Sequence, residues 1–214
     1  MFEDVYYLIA MAGTVAFAVS AVLGVADKKI DLFTAVVFGG ITACGGGTVR
    51  DLILSVPVFW SQDLNYIWVS IVASIVAFYG YRFFERKKIN TLFLYVDGIG
   101  ISLFGIQAVD KVWGLEFALP IAPVILGIIT AIGGGLIRDV LAGRPTLLMK
   151  RELYAIPVLI GCSSYVFVLK FMPGFQLAGS IICLTIIFVI RAAAIHKNLE
   201  VPGWMTMGFS RSKS

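Results

Sequence analysis

The sequence predicts an all-α integral membrane protein of seven transmembrane helices, built as an inverted three-plus-three repeat with a seventh helix appended. Three observations predict it. The 214 residues are 59% hydrophobic, with a mean hydropathy of +0.94, whereas ordinary soluble domains are about 45–50% apolar. The apolar residues gather in runs of about 18–22 that carry few charges, the length a helix needs to cross about 30 Å of hydrocarbon. One stretch is also written twice: "GGITACGGGTVRD" over Gly39–Asp51 returns as "GIITAIGGGLIRD" over Gly127–Asp139.

The first span, Val5–Gly24, follows Glu3 and Asp4 rather than a basic cluster, so it does not read as a signal peptide. Its Ala12, Ala16, Ser20 and Gly24 lie four apart, a stripe suited to close helix packing. The second span, Leu32–Leu54, holds the triplet Gly45–Gly47 and then Arg50 and Asp51. The third, Tyr66–Phe84, is plainly apolar. The fourth, Thr91–Val109, carries Asp97, Gly98 and Ser102. The fifth, Leu119–Ala142, repeats the triplet at Gly133–Gly135 and the charged pair at Arg138 and Asp139. Leu153–Leu169 and Phe175–Ala194 complete the set. The short connections leave no room for a soluble domain, and the tail beyond His196, ending "GFSRSKS", is expected to be disordered.

Each copy of the repeat contains three spans. Three is odd, so the second copy enters the bilayer from the opposite side, an inverted arrangement common among transporters. This divides the chain into residues 1–88, 89–172, a seventh helix over 173–196 and a cytoplasmic tail over 197–214. Lys and Arg set the orientation. One side collects Lys28, Lys29, Arg82, Arg86, Lys87, Lys88, Arg144, Lys150, Arg151, Arg191, Lys197, Arg211 and Lys213; the other has Lys111 and Lys170. The amino terminus is therefore expected outside and the carboxyl terminus in the cytoplasm of a prokaryotic inner membrane. The net charge of +4 is read as this topology signal, with the lipid bilayer and no nucleic acid as partner. Cys44, Cys162 and Cys183 sit within apolar runs as small packing residues, without a metal or disulfide pattern.

Glycine in a helix interior costs roughly 1 kcal/mol against alanine, so each triplet weakens its helix by about 3 kcal/mol. Matched glycine-interrupted spans in two inverted halves point to a translocation site near the midplane; close packing through small residues is the competing account. If the helices are broken there, Gly46→Ala or Gly134→Ala should strengthen its helix by up to about 1 kcal/mol. Arg50 and Arg138 follow the triplets, in opposite halves of the bilayer, and each is expected to face the bundle or water. As neighbours, Arg50 and Asp51 should not face each other on a helix; the pairs would anchor helix ends by bonding freed carbonyls, or line a pathway. Asp97 falls at the depth of Arg138, close enough for contact, and its counterpart in the first half is Ala12 or a near neighbour. Thr42, Thr48, Ser102, Gln107 and Thr130 would offer polar groups to a pathway enclosed by spans one, two, four and five. No HExxH occurs, the lone His196 lies past the last span, and no cofactor or enzymatic activity is expected.

The doubled "TACGGGTVRD" and "TAIGGGLIRD", with "LAGRP" and "ELYA" at Glu152–Ala155, resemble the prokaryotic trimeric intracellular cation channels, which share a sequence family with bacterial glycine-transporter-domain proteins. The resemblance covers nearly the whole chain. It implies seven helices with kinks at Gly45–Gly47 and Gly133–Gly135. It implies a homotrimer with one pore per subunit and passage of potassium and other monovalent cations. A lysine beside either triplet, as in the animal relatives, is absent here, so phosphoinositide binding is not carried over. A carrier for glycine or another small neutral solute would use the same features. The small-residue faces of spans one and four are the expected subunit contacts.

Overall fold

The computed structural model describes residues 2–83, 86–150 and 152–202. Phe84, Arg151, Arg211, Lys213 and the "GFSRSKS" tail lie outside the described residues. Among the described residues eight α-helices follow one another: α1 (Phe2–Gly24), α2 (Leu32–Ile53), α3 (Phe59–Gln62), α4 (Asn65–Gly80), α5 (Arg86–Gly114), α6 (Ile121–Leu141), α7 (Ala155–Phe171) and α8 (Gln176–Lys197). Helices α1, α2, α5, α6 and α8 are long and apolar enough to cross a membrane. Helices α4 and α7, the third and sixth spans, are shorter at 16 and 17 residues, and a 3₁₀ turn over Tyr81–Phe83 prolongs α4. The fourth span continues past the expected Val109 to Gly114. The four-residue α3 was not visible in the hydropathy pattern.

Local chemistry sets the helix ends. The Asp31 carboxylate accepts the Thr34 N–H at 2.7 Å and caps α2. Helices α2 and α6 finish in the same turn. Leu54 N–H returns to the Arg50 carbonyl and Ala142 N–H to that of Arg138; Val56 and Arg144 N–H reach the Asp51 and Asp139 carbonyls, each at 3.1 Å. Both turns need a positive φ, taken by Gly143 at 60° in one copy and by Ser55 at 54° in the other. The repeat in the sequence is thus a repeat of backbone geometry.

Helices α1, α2 and α4 pack on one another, as do α5, α6 and α7, and the two bundles meet along α1–α5 and α2–α6. Phe17 and Phe104 stack across this seam at 5.3 Å, with Gly13 beneath Phe104 and Gly100 beneath Phe17. These reciprocal contacts place the pseudo-two-fold between the two rings and pair positions 87 apart in α1 and α5, one fewer than the 88 that separate the glycine triplets of α2 and α6. The counterpart of Asp97 is therefore Ala10, a near neighbour of Ala12. The seam also corrects the expected subunit contacts. Ala16, Ser20 and Ser102 are buried within the subunit, because the small faces of spans one and four pack against each other. Helix α8 lies on α5 and α7.

The expected helix break is also corrected. The α-helix runs through both Gly45–Gly47 and Gly133–Gly135. A Cβ on Gly46 would overlap the Thr130 carbonyl oxygen, a Cβ on Gly134 that of Thr42, and one on Gly133 would meet the Gly46 Cα at 3.3 Å. The triplets let two backbones touch. An unwound turn in lipid strands carbonyls and N–H groups that water cannot reach, whereas a continuous helix keeps them bonded and the glycines let dispersion contacts form at backbone distance. The expected effect of alanine therefore changes sign. Gly46→Ala and Gly134→Ala should each destabilise the protein by about 1–3 kcal/mol through overpacking. Gly45→Ala, whose Cβ would meet only the tip of Ile137 at 3.0 Å, should be milder. Thermal unfolding of the purified variants in detergent checks the order.

Candidate functional site

Beyond the glycine contact, the charged residues singled out in the sequence form two polar clusters, one at the end of α2 and one at the end of α6. At the Asp51 end, Arg50 Nε and Nη2 each lie 2.8 Å from Asp51 Oδ1, and Lys111 Nζ reaches the same oxygen at 2.8 Å. Asp51 Oδ2 accepts the Phe59 N–H at 2.9 Å, so the carboxylate also caps α3. The Arg50 guanidinium lies 5.8 Å from the Phe59 ring centre. At the Asp139 end, Arg138 Nε bonds Asp139 Oδ1 at 2.9 Å, and Asp139 Oδ2 accepts the Leu147 N–H at 3.0 Å. Arg144 Nε joins Asp139 Oδ1 at 3.1 Å.

Both Arg-Asp pairs therefore contact each other directly, against the expectation for sequence neighbours. The i,i+1 rule describes a continuing helix surface. These pairs sit in the last turn, where a long guanidinium can fold back and the chain returns over the carboxylate. The arginines bond carboxylates rather than carbonyls freed by the glycines. Arg138 has further partners that Arg50 lacks: its Nη1 reaches Asp97 Oδ1 at 2.6 Å and Ser20 Oγ at 2.9 Å. Arg138, Asp97 and Asp139 are buried to within 1%. Phe93 lies between Arg138 and Arg144, with guanidinium-to-ring distances of 4.6 and 4.3 Å, a favourable placement for two desolvated cations.

The hydroxyls behave differently from the expected lining. Thr42, Thr48 and Thr130 donate to the carbonyls of Phe38, Cys44 and Leu126, and Ser102 donates to that of Ile99. Their hydrogens point back into their own helices, leaving oxygen lone pairs; the Thr48 oxygen accepts from Trp60 at 3.0 Å. Gln107 lies on α5 beyond the Phe17–Phe104 seam, 87 positions after Ser20.

Sequence reasoning missed four contributors. Lys111 was counted as a loop charge, yet it clamps the end of α5 to that of α2. Lys28 does the matching work at the other end by donating to the Ala142 carbonyl, and Arg144 Nη1 bonds the Gly24 carbonyl at 2.6 Å. Arg191 was counted on the basic side but is fully buried in α8. It bonds Glu152 and the Leu153 carbonyl, each at 3.2 Å, and lies 5.0 Å from the Tyr154 ring centre. An arginine inside the apolar run Phe175–Ala194 was the available signal. Tyr154 Oη, Arg138 Nη2 and Asp97 Oδ2 are buried without a hydrogen-bond partner.

A cavity of about 350 Å³ opens at the Asp139 end beside Lys28, Asn90, Phe93, Arg144 and Lys150. Another, of about 510 Å³, lies between Tyr6 and the Pro173–Ala178 segment. Among the described residues no group of three or more His, Cys, Asp or Glu is placed to hold a metal.

Comparison with known proteins adds the following. The family model described as Glycine transporter matches residues 7–82 and 94–170. The UPF0126 inner membrane protein YadS of Escherichia coli is 33% identical over 197 residues, covering 92% of this chain and 94% of its own. The UPF0126 membrane protein of Vibrio cholerae is 41% identical over 157 residues, covering 72% of this chain; the match spans 64% of that relative. The solved trimeric intracellular cation channel orthologue from Rhodobacter sphaeroides superposes with a TM-score of 0.85 at 28% identity, covering 91% of this chain and 99% of that one.

The Asp97–Arg138–Asp139 triad has a graded stability signature. Arg138→Gln strands the buried Asp97 carboxylate, leaves Asp139 to Arg144 alone and should lose about 3–5 kcal/mol. Asp97→Asn leaves Arg138 its Asp139 partner and should lose less. The double variant should unfold close to Arg138→Gln, well short of the sum of the two. Melting of the three variants in detergent checks this, and simple additivity would show that the two side chains do not interact.

Proposed function

The chain belongs to the family described as glycine transporters, shared with the prokaryotic trimeric intracellular cation channels, and on that premise we propose that it is a monovalent-cation channel permeable to potassium. The likeness of nearly the whole chain to a solved cation channel carries the reading. Each subunit of a homotrimer contains one pathway, between α1, α2, α5 and α6. On this reading the glycine contact, where α2 touches α6, is the closed gate of that pathway. Opening separates Gly45–Gly47 from Gly133–Gly135 and loosens one or both charged ends. Carbonyls and the lone pairs of Thr42 and Thr130 then replace part of a cation's hydration shell, while Asp51, Asp97 and Asp139 offset the arginines that would repel it. The Asp139 end faces the cytoplasm, as the basic bias requires. Residues 1–88 and 89–172 act as the two repeats, with 173–196 as the appended helix and 197–214 as a tail.

One observation favours a second reading, a carrier for glycine or another small neutral solute: the family description itself. Two separately latched ends also suit alternating access.

Purified protein in a planar bilayer should give discrete potassium currents, and Gly134→Ala, whose Cβ overlaps the Thr42 carbonyl and so opposes the shut contact, should keep the pathway open longer while the trimer still forms on crosslinking. Saturable uptake of labelled glycine into proteoliposomes, with no unitary current, would replace the channel by the carrier. Orientation is checked separately: a cysteine at Asp63 should label from outside the cell, and one at Met149 should not.

A further inference from the structure

We infer that Tyr154 is the bolt of the Asp139 end and that Arg191 of α8 seats it, so that a helix outside the symmetric repeat sets whether this end of the pathway opens. The bolt presupposes the pathway between α1, α2, α5 and α6 proposed above, whether a cation or a neutral solute uses it.

Each repeat carries a tyrosine at the same place. A Cβ on Gly39 would meet Ser74 and one on Gly127 would meet Cys162. Helices α4 and α7 therefore keep the 88-residue register of the triplets, and Tyr66 corresponds to Tyr154. Tyr66 is enclosed by the core itself. Its ring stands edge-on to Phe59 at 4.6 Å and to Tyr7 at 6.4 Å, and its hydroxyl lies against the Gln107 side chain. Tyr154 is held differently. It is 3% exposed, and its hydroxyl occupies the notch over Gly135, 3.1 Å from where a Cβ would stand, beside Arg138 Nη2. Gly135 adjoins Gly134, which meets the Thr42 carbonyl in the glycine contact. A ring that leaves this notch opens space directly beside that contact. The hydroxyl is buried without a hydrogen-bond partner, so it is not what anchors the ring.

The anchor comes from α8. Arg191 is fully buried, with its guanidinium 5.0 Å from the Tyr154 ring centre. Its Nη1 bonds the Leu153 carbonyl and the Glu152 carboxylate, each at 3.2 Å. One side chain thus grips both the ring and the two residues before it. Room for this arginine is cut into α5, where a Cβ on Gly98 would meet Arg191 Cγ at 3.2 Å. In the 87-residue register of α1 and α5 the counterpart of Gly98 is Met11, and α8 has no counterpart at all. The first repeat has neither niche nor clamp. Arg191 Nε and Nη2 are buried without partners, a cost that an apolar residue would avoid if α8 needed only to pack; the aromatic face offsets part of it.

Thiol accessibility tests this without any current. In a chain with Cys44, Cys162 and Cys183 replaced by alanine, Thr42→Cys reports the Asp139 side of the glycine contact and Thr130→Cys the Asp51 side. A membrane-impermeant methanethiosulfonate is added to vesicles of either orientation. Tyr154→Ala and Arg191→Met should each raise the labelling rate of Thr42→Cys from the Asp139 side several-fold, and leave that of Thr130→Cys from the Asp51 side unchanged. Tyr154→Phe, which keeps the ring on Arg191, should label as the wild type does. Arg191→Met replaces a buried ion by an apolar side chain and leaves a Glu152 side chain that is already 28% exposed. If it does not fold, Arg191→Lys, which lacks the flat guanidinium, takes its place with the same expectation. Absence of potassium current would remove the channel reading and leave the labelling rates standing. No labelling of either thiol in any chain removes the pathway, and the bolt with it. Where Thr130→Cys labels, the proposal is overturned if Thr42→Cys is not speeded in Tyr154→Ala or in the Arg191 variant. It is overturned too if both thiols are speeded alike, as general loosening would do, or if Tyr154→Phe matches Tyr154→Ala.

Discussion

Everything in this molecule is arranged around one backbone contact, where Gly46 meets the Thr130 carbonyl and Gly134 meets that of Thr42. Two helices approach this closely only if neither has a side chain at the crossing. The reciprocity follows from the pseudo-two-fold, since each glycine faces the threonine of the other copy. In lipid there is no water to compete for exposed backbone, and apolar surface gains little by leaving an apolar solvent. Shape at short range is the remaining attraction, and the triplets provide it. The Phe17–Phe104 stack, with a glycine under each ring, extends the same device to α1 and α5.

Once the centre is built from glycine, the ends must hold the bundle. Each does so with a carboxylate that serves three purposes at once. Asp51 and Asp139 bind their own arginine, accept the first N–H of the returning chain, and recruit a cation from a neighbouring segment. A buried carboxylate used this fully is strongly held, and a buried arginine beside it is neutralised where it would otherwise be costly. Asp97, which bonds Arg138 and has Ala10 in its place beside Arg50, makes the two ends chemically distinct despite their common origin in a repeat.

The seventh helix is more than an appendage to the symmetric core. Arg191 reaches from α8 to Glu152 and the Leu153 carbonyl and lies over Tyr154, whose hydroxyl faces the notch at Gly135 together with Arg138 Nη2. Glu152 in turn pairs through its backbone with Glu200. The chain beyond α8 is thereby tied to the loop that closes the Asp139 end, a connection without counterpart in the first repeat.

The sequence by itself determined the class, the spans and the inverted repeat. Hydrophobic run length is set by bilayer thickness, and an odd number of spans per copy forces inversion; both are one-dimensional facts. It also singled out the glycine triplets and the Arg-Asp pairs, because both are improbable in lipid without a reason. It placed Asp97 beside Arg138 by depth alone. What those residues do was decided in three dimensions. Helix propensity favours a break at three glycines, but propensity is a property of one helix, and the second helix that makes continuity worthwhile lies 88 positions away. The Arg50–Asp51 contact depends on the chain turning back at Ser55, and the joining of Lys111 to Asp51 on two helix ends meeting in space. Arg191 counted as a loop charge until packing put it in the core. That Arg138 has a second carboxylate and Arg50 does not was invisible in the sequence, because the counterpart of Asp97 can be found only once the Phe17–Phe104 seam fixes the axis.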